Sequence, residues 1–441
     1  MPNIYNVSNF EKNIMILKLK NKFDILGLFA ISIVIIALIV QCVLIVVFWN
    51  VNQRSDQGLY IRMANEYFLN NQWYPDKREL YSNYLFAPGL INYFILQLKI
   101  FGTLKINMII NLILNLFICF YIFKFGQKFF SKKTAYIAII IWSILYSNIM
   151  IVLPAGTEIP FLFLILTASY LCINYRSSWC FILSGVLFAI ANWIRPLSLI
   201  FVISIIVYFV LNRYSYRSYL NLVGSIFVSI VIIGSISKHQ IGIFTFQSST
   251  SGVNLIMTAN DKAYGGVATI LFSDTTSSCY IRNANNLTFI QKDSIWKNRS
   301  FEWIRKHPSK YAFLYLKKLV GLFIEDSWSD RPILGGDGTI GNNMVKKPNS
   351  NVLMARISHM FVRSIVYYLV LILFVFGIFK NIKQYNINQH IFLLLSLLLG
   401  VFSTCIFCVS PRYHYPFLFV IVLYAASTVD LFILKRSHEN T

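Results

Sequence analysis

Four charged residues stand out because each one borders a long apolar stretch of the sequence. Asp56 follows the first such stretch, Glu158 opens another, and Arg195 and Arg412 lie at the ends of two more. A carboxylate can orient a hydroxyl group or take its proton, and a guanidinium can bind phosphate through two parallel hydrogen bonds. Ordinary interpretations are also open. The acids could cap or favour helix N-termini, and the arginines could snorkel or form salt bridges.

The apolar stretches themselves must position these side chains. The 441-residue chain is 57% hydrophobic and 13% charged, with a mean hydropathy of +0.62, whereas soluble domains are about 45–50% apolar and about 25% charged. Runs such as Ile25 to Trp49 match the ~30 Å hydrocarbon core of a bilayer at about 1.5 Å per residue. The sequence therefore predicts an all-α integral membrane protein.

The formal charge of +22 raises the question of nucleic acid. The Lys and Arg residues punctuate the apolar runs instead of forming an arginine-rich tail or a nucleic-acid-binding motif. Short basic loops of this kind are typical of the cytoplasmic side of a membrane protein. We therefore predict membrane lipids, and no nucleic acid, as partners.

Placing the basic loops inside predicts about ten transmembrane helices. Their approximate limits are residues 23–50, 104–125, 134–153, 159–175, 179–193, 197–212, 219–237, 354–379, 390–409 and 414–434. Both termini are then cytoplasmic in a bacterial-type plasma (inner) membrane, and the two long polar segments are extracytoplasmic. Within the first of these, Pro88 to Phe101 is apolar but too short to span, so we expect it to lie along the surface or to re-enter.

This path divides the chain into three regions. An N-terminal transmembrane module, 1–237, contains the first outer loop, 50–102; an extracytoplasmic loop region, 238–352, follows; and 353–441 forms the C-terminal transmembrane helices. All four charged residues fall at predicted outer ends of spans. A catalytic surface would therefore be built from the two outer loops.

Short motifs around these residues occur in a characteristic order. They are Asp56 with Tyr60, Trp73-Tyr74-Pro75, Pro88-Gly89-Leu90, Thr157-Glu158-Ile159-Pro160, Ala191-Asn192-Trp193-Ile194-Arg195-Pro196, Trp303-Ile304-Arg305-Lys306-His307-Pro308 and Ser410-Pro411-Arg412-Tyr413. In this order they resemble the polyprenyl-phosphate-dependent GT-C glycosyltransferases, most of all the branch of dolichyl-phosphate-mannose protein mannosyltransferases and aminoarabinose transferases. The resemblance covers most of the chain at the level of layout.

The resemblance implies a GT-C-type topology and a glycosyltransferase activity. A hexosyl or pentosyl group would move from a polyprenyl-phosphate donor to a hydroxyl of a glycan, lipid or protein acceptor on the extracytoplasmic face, with inversion. Asp56 would be the general base. A lipid phosphate already leaves readily, so one carboxylate suffices where most glycosidases need two.

The remaining predicted site residues serve binding. The departing phosphate needs positive charge at headgroup depth, which Arg412 and Arg195 can supply. The substrate-binding candidates are Glu158, Tyr60, Trp73, Tyr74 and Tyr413.

A divalent metal is the only cofactor that the resemblance raises, since some relatives use one. Asp76 and Glu79 are the weak candidates for its ligands. Asp56-Gln57 departs from the Asp-Glu pair of the protein mannosyltransferases, which weakens both the metal and the protein-acceptor hypotheses. The question of metal dependence stays open at this point.

Two other function classes fit a membrane protein with large outer loops. A flippase or transporter for lipid-linked saccharides would carry ionisable residues midway through its spans and symmetric halves. Here the mid-span positions are nearly charge-free and the polar residues gather on one side. A polysaccharide polymerase or ligase shares this topology, and only the acid after the first span favours the transferase.

Overall fold

Helices formed by the apolar runs make up most of the protein. The computed structural model describes residues 5–334, 350–384 and 387–439, and across those ranges it has no β-strand, only a single bridge between Gly266 and Val409. Its α-helices, in chain order, are α1 (Tyr5–Val47), α2 (Ser55–Leu69), α3 (Pro88–Phe101), α4 (Ile106–Phe129), α5 (Lys132–Ile144), α6 (Tyr146–Met150), α7 (Glu158–Asn174), α8 (Ser178–Ile194), α9 (Ser198–Leu211), α10 (Tyr216–Ile241), α11 (Ser251–Ile256), α12 (Phe289–Lys306), α13 (Pro308–Phe323), α14 (Arg331–Leu334), α15 (Ser350–Gln384), α16 (Ile387–Ile406) and α17 (Leu418–Glu439).

Six helical segments are long and apolar enough to cross a membrane. They are Ile25–Val47, Ile106–Phe129, Tyr216–Ile241, Ser358–Lys380, Ile387–Ile406 and Pro411–Phe432. In the first and third of them only 17% of the most apolar window is buried inside the protein. Side chains such as Phe29 and Phe227 therefore face outward, which a hydrocarbon environment stabilises and water does not. The chain is an all-α multi-pass membrane protein, as the composition predicted.

The predicted count of ten spans stays a prediction. Three further apolar helices, α7, α8 and α9, are shorter than 18 residues. The span predicted for 134–153 is broken, because Leu145 is extended and separates α5 from α6. The Asn148 amide donates to the Trp142 carbonyl at 2.9 Å, and the Gln41 amide donates to the Asn148 carbonyl at 2.8 Å. These bonds satisfy backbone groups that the break would otherwise leave unpaired.

The segment that begins at Pro411 lies at the centre of the bundle. Its most apolar window is 83% buried, and α17 packs against α5 and α15. Near the other end of α17, Asp430 accepts a hydrogen bond from Ser131 at 2.7 Å and pairs with Lys133 at 3.3 Å. A turn of 3-10 helix, Pro411–Phe417, leads into α17. Arg412 therefore lies on the turn that leads into the most enclosed of the six candidate spans.

Helix α3 has the bounds of the short apolar stretch identified in the first outer loop. Proline at its first position and Gly102 just past its end, with φ +70°, mark its limits. It is largely buried and packs against α2 and α8. A Cβ on Gly89 would lie 2.7 Å from backbone atoms of Trp193 and Ile194, so glycine here permits the two helices to touch.

We expect Gly89→Ala to destabilise the protein by about 1–3 kcal/mol, because the new methyl group would push α3 away from α8. Gly224→Ala is the matched control, since a Cβ at Gly224 in α10 meets no atom within 4 Å. The melting temperatures of the two purified variants in detergent test this difference. Equal melting temperatures would show that the close contact is not required.

The second polar region has a small core of its own. Helix α12 begins with a capping box between Thr288 and Gln291, and Trp296 on this helix packs against Val253, Ile256 and Cys279. The predicted boundaries at 237 and 352 stay predictions; the first lies within α10 and the second within α15.

Candidate functional site

Asp56 is presented by the first turn of α2. The entry to this helix is held where the Arg54 N–H donates to the Pro332 carbonyl at 3.0 Å, and Ser55 adopts a left-handed conformation with φ +58°. A Cβ on Gly58 would lie 2.3 Å from the Gln53 carbonyl oxygen. The N-cap residue is Arg54, without a side-chain cap. The alternative interpretation, that Asp56 caps this helix, is therefore wrong.

Asp56 instead forms an ion pair with Arg412, a residue 356 positions away. The Asp56 side chain is 39% exposed and that of Arg412 is 22% exposed. The carboxylate is thus held in place by a partially enclosed guanidinium and is still reachable from outside. A hydroxyl group could approach it without any rearrangement of the fold.

Glu158 and Arg195 form a second, more enclosed pair. Arg195 Nη1 lies 3.4 Å from Glu158 Oε1, and the side chains are 13% and 5% exposed. The turn before Glu158 is fastened by Gln53, which accepts from the Ala155 N–H at 2.7 Å and donates to the Leu153 carbonyl at 2.9 Å. The entry to α2 and the entry to α7 are therefore bonded to each other.

Two tyrosines join the pairs into one cluster. The Tyr413 ring centre lies 5.1 Å from the Arg195 guanidinium carbon and 5.4 Å from that of Arg412. Tyr60 is buried beside the same charges. Burial raises the pKa of the Tyr60 phenol above its ordinary value, and the negative charge of Asp56 makes a smaller contribution in the same direction. Tyr60 therefore stays protonated and can serve as a hydrogen-bond donor. The structure brings six predicted site residues together.

The peptide before Arg412 is held by the second polar region. The Tyr311 hydroxyl donates to the Ile406 carbonyl at 2.6 Å, the Cys408 N–H donates to the Asn254 carbonyl at 3.1 Å, and Val409 pairs with Gly265. These bonds come from α13, from α11 and from the loop after it. Both polar regions thus contribute to the site, one by carrying Asp56 and the other by bracing Arg412.

An apolar cavity of about 670 Å³ opens next to this cluster. Its walls come from the first outer loop and from α3, α4, α7, α8 and α10, with Leu114, Phe163 and Ile233 among the lining side chains. Pro160 and Ile194 also line it, and each is within two positions of Glu158 or Arg195. This cavity, the apolar groove, is thus lined by close sequence neighbours of the second ion pair.

Trp73 and Tyr74 lie in the wall of the apolar groove. Lys99 sits over the Trp73 ring at 4.5 Å, and Tyr74 is fully buried, with its hydroxyl accepting from the Phe86 N–H. Neither has a hydrogen bond or ring contact with the four charged residues in the described part of the chain. Their role in binding a sugar stays a prediction.

Asp76 and Glu79, the metal candidates, meet at the hydroxyl of Tyr67. Each has a carboxylate oxygen 3.1 Å from that hydroxyl, and Asp76 also pairs with Arg78 at 2.7 Å. Burial raises the pKa of Glu79. Across the described ranges no group of three or more His, Cys, Asp and Glu residues is arranged to hold a metal ion.

Sequence reasoning missed a buried acidic segment beside the site. Glu325, Asp326 and Asp330 are all less than 4% exposed, although they belong to a region that was interpreted as a polar outer loop. The next turn of the same segment supplies the Pro332 carbonyl that binds Arg54. The sequence does contain a signal for this segment, because three of the chain's 17 acidic residues fall within one short stretch.

Comparisons with known proteins give likenesses in structure alone. No family model and no curated protein matches the chain. It is similar to the Archaeoglobus fulgidus oligosaccharyltransferase tethered to an acceptor peptide with the NVT sequon, at 14% identity and a TM-score of 0.47 over 92% of this chain and 50% of that one. The same enzyme in complex with an inhibitory peptide and a dolichol-phosphate is 15% identical, with a TM-score of 0.43 over 93% of this chain and 52% of that one.

A further likeness is to ArnT from Cupriavidus metallidurans bound to undecaprenyl phosphate, at 12% identity and a TM-score of 0.33 over 91% of this chain and 77% of that one. Both enzymes are GT-C transferases, the class that the motif order resembles. The chain spans about half the length of the oligosaccharyltransferase.

Proposed function

We propose that this protein is a membrane glycosyltransferase that moves a sugar from a polyprenyl-phosphate donor to an acceptor hydroxyl on the extracytoplasmic face, with inversion. The observation that carries the proposal is a cluster of a reachable carboxylate, Asp56, with two guanidiniums, one of which, Arg195, directly follows a residue that lines the apolar groove. A lipid with an anionic phosphate at one end matches both parts, since its chain suits the apolar groove and its phosphate suits the guanidiniums.

The apolar groove is the proposed site of the isoprenoid chain. Its lining is almost wholly apolar, and burying an isoprenoid there contributes about 25 cal/mol per Å² of apolar area. Arg195 directly follows the groove-lining Ile194, and the Tyr413 ring lies beside the guanidiniums of both Arg195 and Arg412. Guanidiniums bind phosphate more specifically than lysine does, so this end of the groove suits the donor phosphate.

The two carboxylates have different environments and therefore different proposed roles. Glu158 is buried and paired, which suits it to orient Arg195 and a sugar hydroxyl. Asp56 is the more exposed acid, and an arriving phosphate competes with it for Arg412. Once Arg412 turns to the phosphate, the Asp56 carboxylate is free to accept a proton.

The reaction then follows from these positions. The acceptor oxygen attacks the anomeric carbon, its proton passes to Asp56, and the bond between that carbon and the phosphate oxygen breaks. Polyprenyl phosphate leaves with the bonding electrons, and Arg195 and Arg412 stabilise its additional negative charge. Attack opposite the departing phosphate inverts the anomeric centre.

Purified protein in nanodiscs, incubated with a panel of labelled polyprenyl-phosphate sugars and extracted membrane acceptors, tests the proposal. We expect one or more donors to be consumed, with release of polyprenyl phosphate and a product of inverted configuration. Movement of intact donor between leaflets, without cleavage of the sugar–phosphate bond, would point to a flippase instead.

A substitution within the apolar groove tests where the lipid chain binds. Leu114→Trp should exclude about 60 Å² of isoprenoid, which costs about 1.5 kcal/mol and raises the KM for a long-chain donor about tenfold. The KM for a donor with a chain of two or three isoprene units should change less. Leu116→Trp is the matched control, since Leu116 is on the same helix, is exposed and is not part of the groove lining. Equal effects of the two variants would contradict this assignment.

A further inference from the structure

A cluster of three buried acids and the groups that face them lies beside the site and is not used by the proposed chemistry. It comprises Glu325, Asp326 and Asp330, the guanidiniums of Arg331 and Arg363, and the imidazole of His414. Arg331 pairs with Glu325, and Arg363 pairs with Asp330. Asp326, which is fully buried, is left opposite His414.

His414 has a defined orientation. Its Nδ1 lies 2.9 Å from the Leu322 carbonyl, which can only accept a hydrogen bond, so Nδ1 carries a hydrogen. Its Nε2 lies 3.7 Å from Asp326 Oδ1, and neither atom has a hydrogen-bond partner among the described residues. In a neutral imidazole Nε2 would present a lone pair to the carboxylate. A second proton on the ring turns this repulsion into attraction.

The surroundings of the ring also favour a positive charge. Tyr367 stacks on the imidazole at 5.0 Å and Phe323 lies at 6.0 Å, with interplanar angles of 19° and 26°. Aromatic faces attract cations, the more so away from water. His414 thus has a carboxylate at its edge and electron-rich rings beside it.

Asp326 is otherwise surrounded by neutral groups. Its Oδ2 accepts from the Ser147 N–H at 2.9 Å, its own N–H donates to Ser364 Oγ at 2.9 Å, and the phenols of Tyr146, Tyr367 and Tyr415 are nearby. The arginines of the cluster pair with Glu325 and Asp330. A fully buried carboxylate without a counter-charge is costly, and the His414 ring is the group placed opposite its Oδ1.

We propose that Asp326 and His414 form a buried carboxylate–imidazolium pair that positions Arg412. His414 and Arg412 belong to the same 3-10 turn, and Trp328 from the acidic segment packs edge-on against Tyr415 in that turn at 5.6 Å. The same segment bonds to Arg54 through Pro332. It therefore supports both members of the Asp56–Arg412 pair. The positioning role rests on the proposed function, whereas the charged pair does not.

Nitrogen NMR of protein labelled with ¹⁵N-histidine, in nanodiscs at pH 7, tests the charged pair. The His414 signals are assigned by their loss in His414→Gln or by their shift in Asp326→Asn, so that either variant suffices. We expect both ring nitrogens of His414 to be protonated in the wild-type protein and only one in Asp326→Asn. An unprotonated Nε2 in the wild-type protein would overturn the proposal.

Donor binding tests the positioning role. Asp326→Asn should weaken the affinity for a polyprenyl-phosphate sugar about tenfold, with the acceptor KM unchanged. Asp274→Asn, at a partly exposed carboxylate that pairs with Lys262, should alter neither. Unchanged donor affinity in Asp326→Asn would overturn the positioning role. A wild-type protein that binds no such donor would contradict the proposed function instead, and the NMR result would still decide the charged pair.

Discussion

Asp56→Asn is expected to lower the rate of sugar transfer by about 10²- to 10⁴-fold, the usual contribution of a positioned general base. Asparagine keeps the size of the side chain but cannot take the acceptor proton. It also stops competing with the donor phosphate for Arg412, so the dissociation constant of the donor should not rise. Single-turnover rates and donor binding measured on the same preparation separate the two effects.

Glu302→Gln provides the control for loss of a carboxylate. Glu302 is exposed on α12 and pairs only with Lys306, one helical turn away, and such surface pairs contribute little. Its transfer rate should match that of the wild-type protein. Full activity of Asp56→Asn would exclude Asp56 as the base.

Arg412→Gln is expected to act mainly on the donor. Hydrogen bonds to charged groups contribute about 1.5–3 kcal/mol each, so the donor dissociation constant should rise roughly 10- to 100-fold. Asp56, left without its partner, would also repel the phosphate. Transfer at saturating donor should fall as well, because the leaving phosphate loses part of its stabilisation.

Two further variants refine the Arg412 measurement. Arg412→Lys keeps the charge without the planar pair of donors, so its affinity should lie between those of the wild-type protein and Arg412→Gln. Arg282→Gln, an exposed arginine on the outer surface, should bind the donor normally. If Arg282→Gln and Arg412→Gln weakened binding equally, general surface charge would explain the result and a specific phosphate contact would not.

Much of the fold could be predicted because its main determinant is local. Apolar runs of about 20 residues predicted the six long helices, and the short apolar stretch from Pro88 to Phe101 coincides with α3. The break at Leu145 could not be predicted in this way. It depends on Asn148 and Gln41, side chains that bond to backbone carbonyls only once the helices are packed.

The site could be predicted in part, for a similar reason. Asp56, Glu158, Arg195 and Arg412 were identified by their positions at the ends of apolar runs together with the resemblance of the motifs around them, and the structure brings them together. Their pairing could not be predicted, since Asp56 and Arg412 are 356 positions apart. The buried segment around Asp326 was missed because a run of acids predicts solvent exposure. Here counter-charges from α15 and from the Arg412 turn permit its burial.

A structure of the protein with polyprenyl phosphate bound in nanodiscs would test the central claim most directly. We expect the phosphate within hydrogen-bond distance of Arg412 and Arg195, the isoprenoid chain along Leu114 and Phe163, and the Asp56 carboxylate released from Arg412. A phosphate bound elsewhere, with the Asp56–Arg412 pair intact and the apolar groove filled only by bulk lipid, would contradict the proposed mechanism.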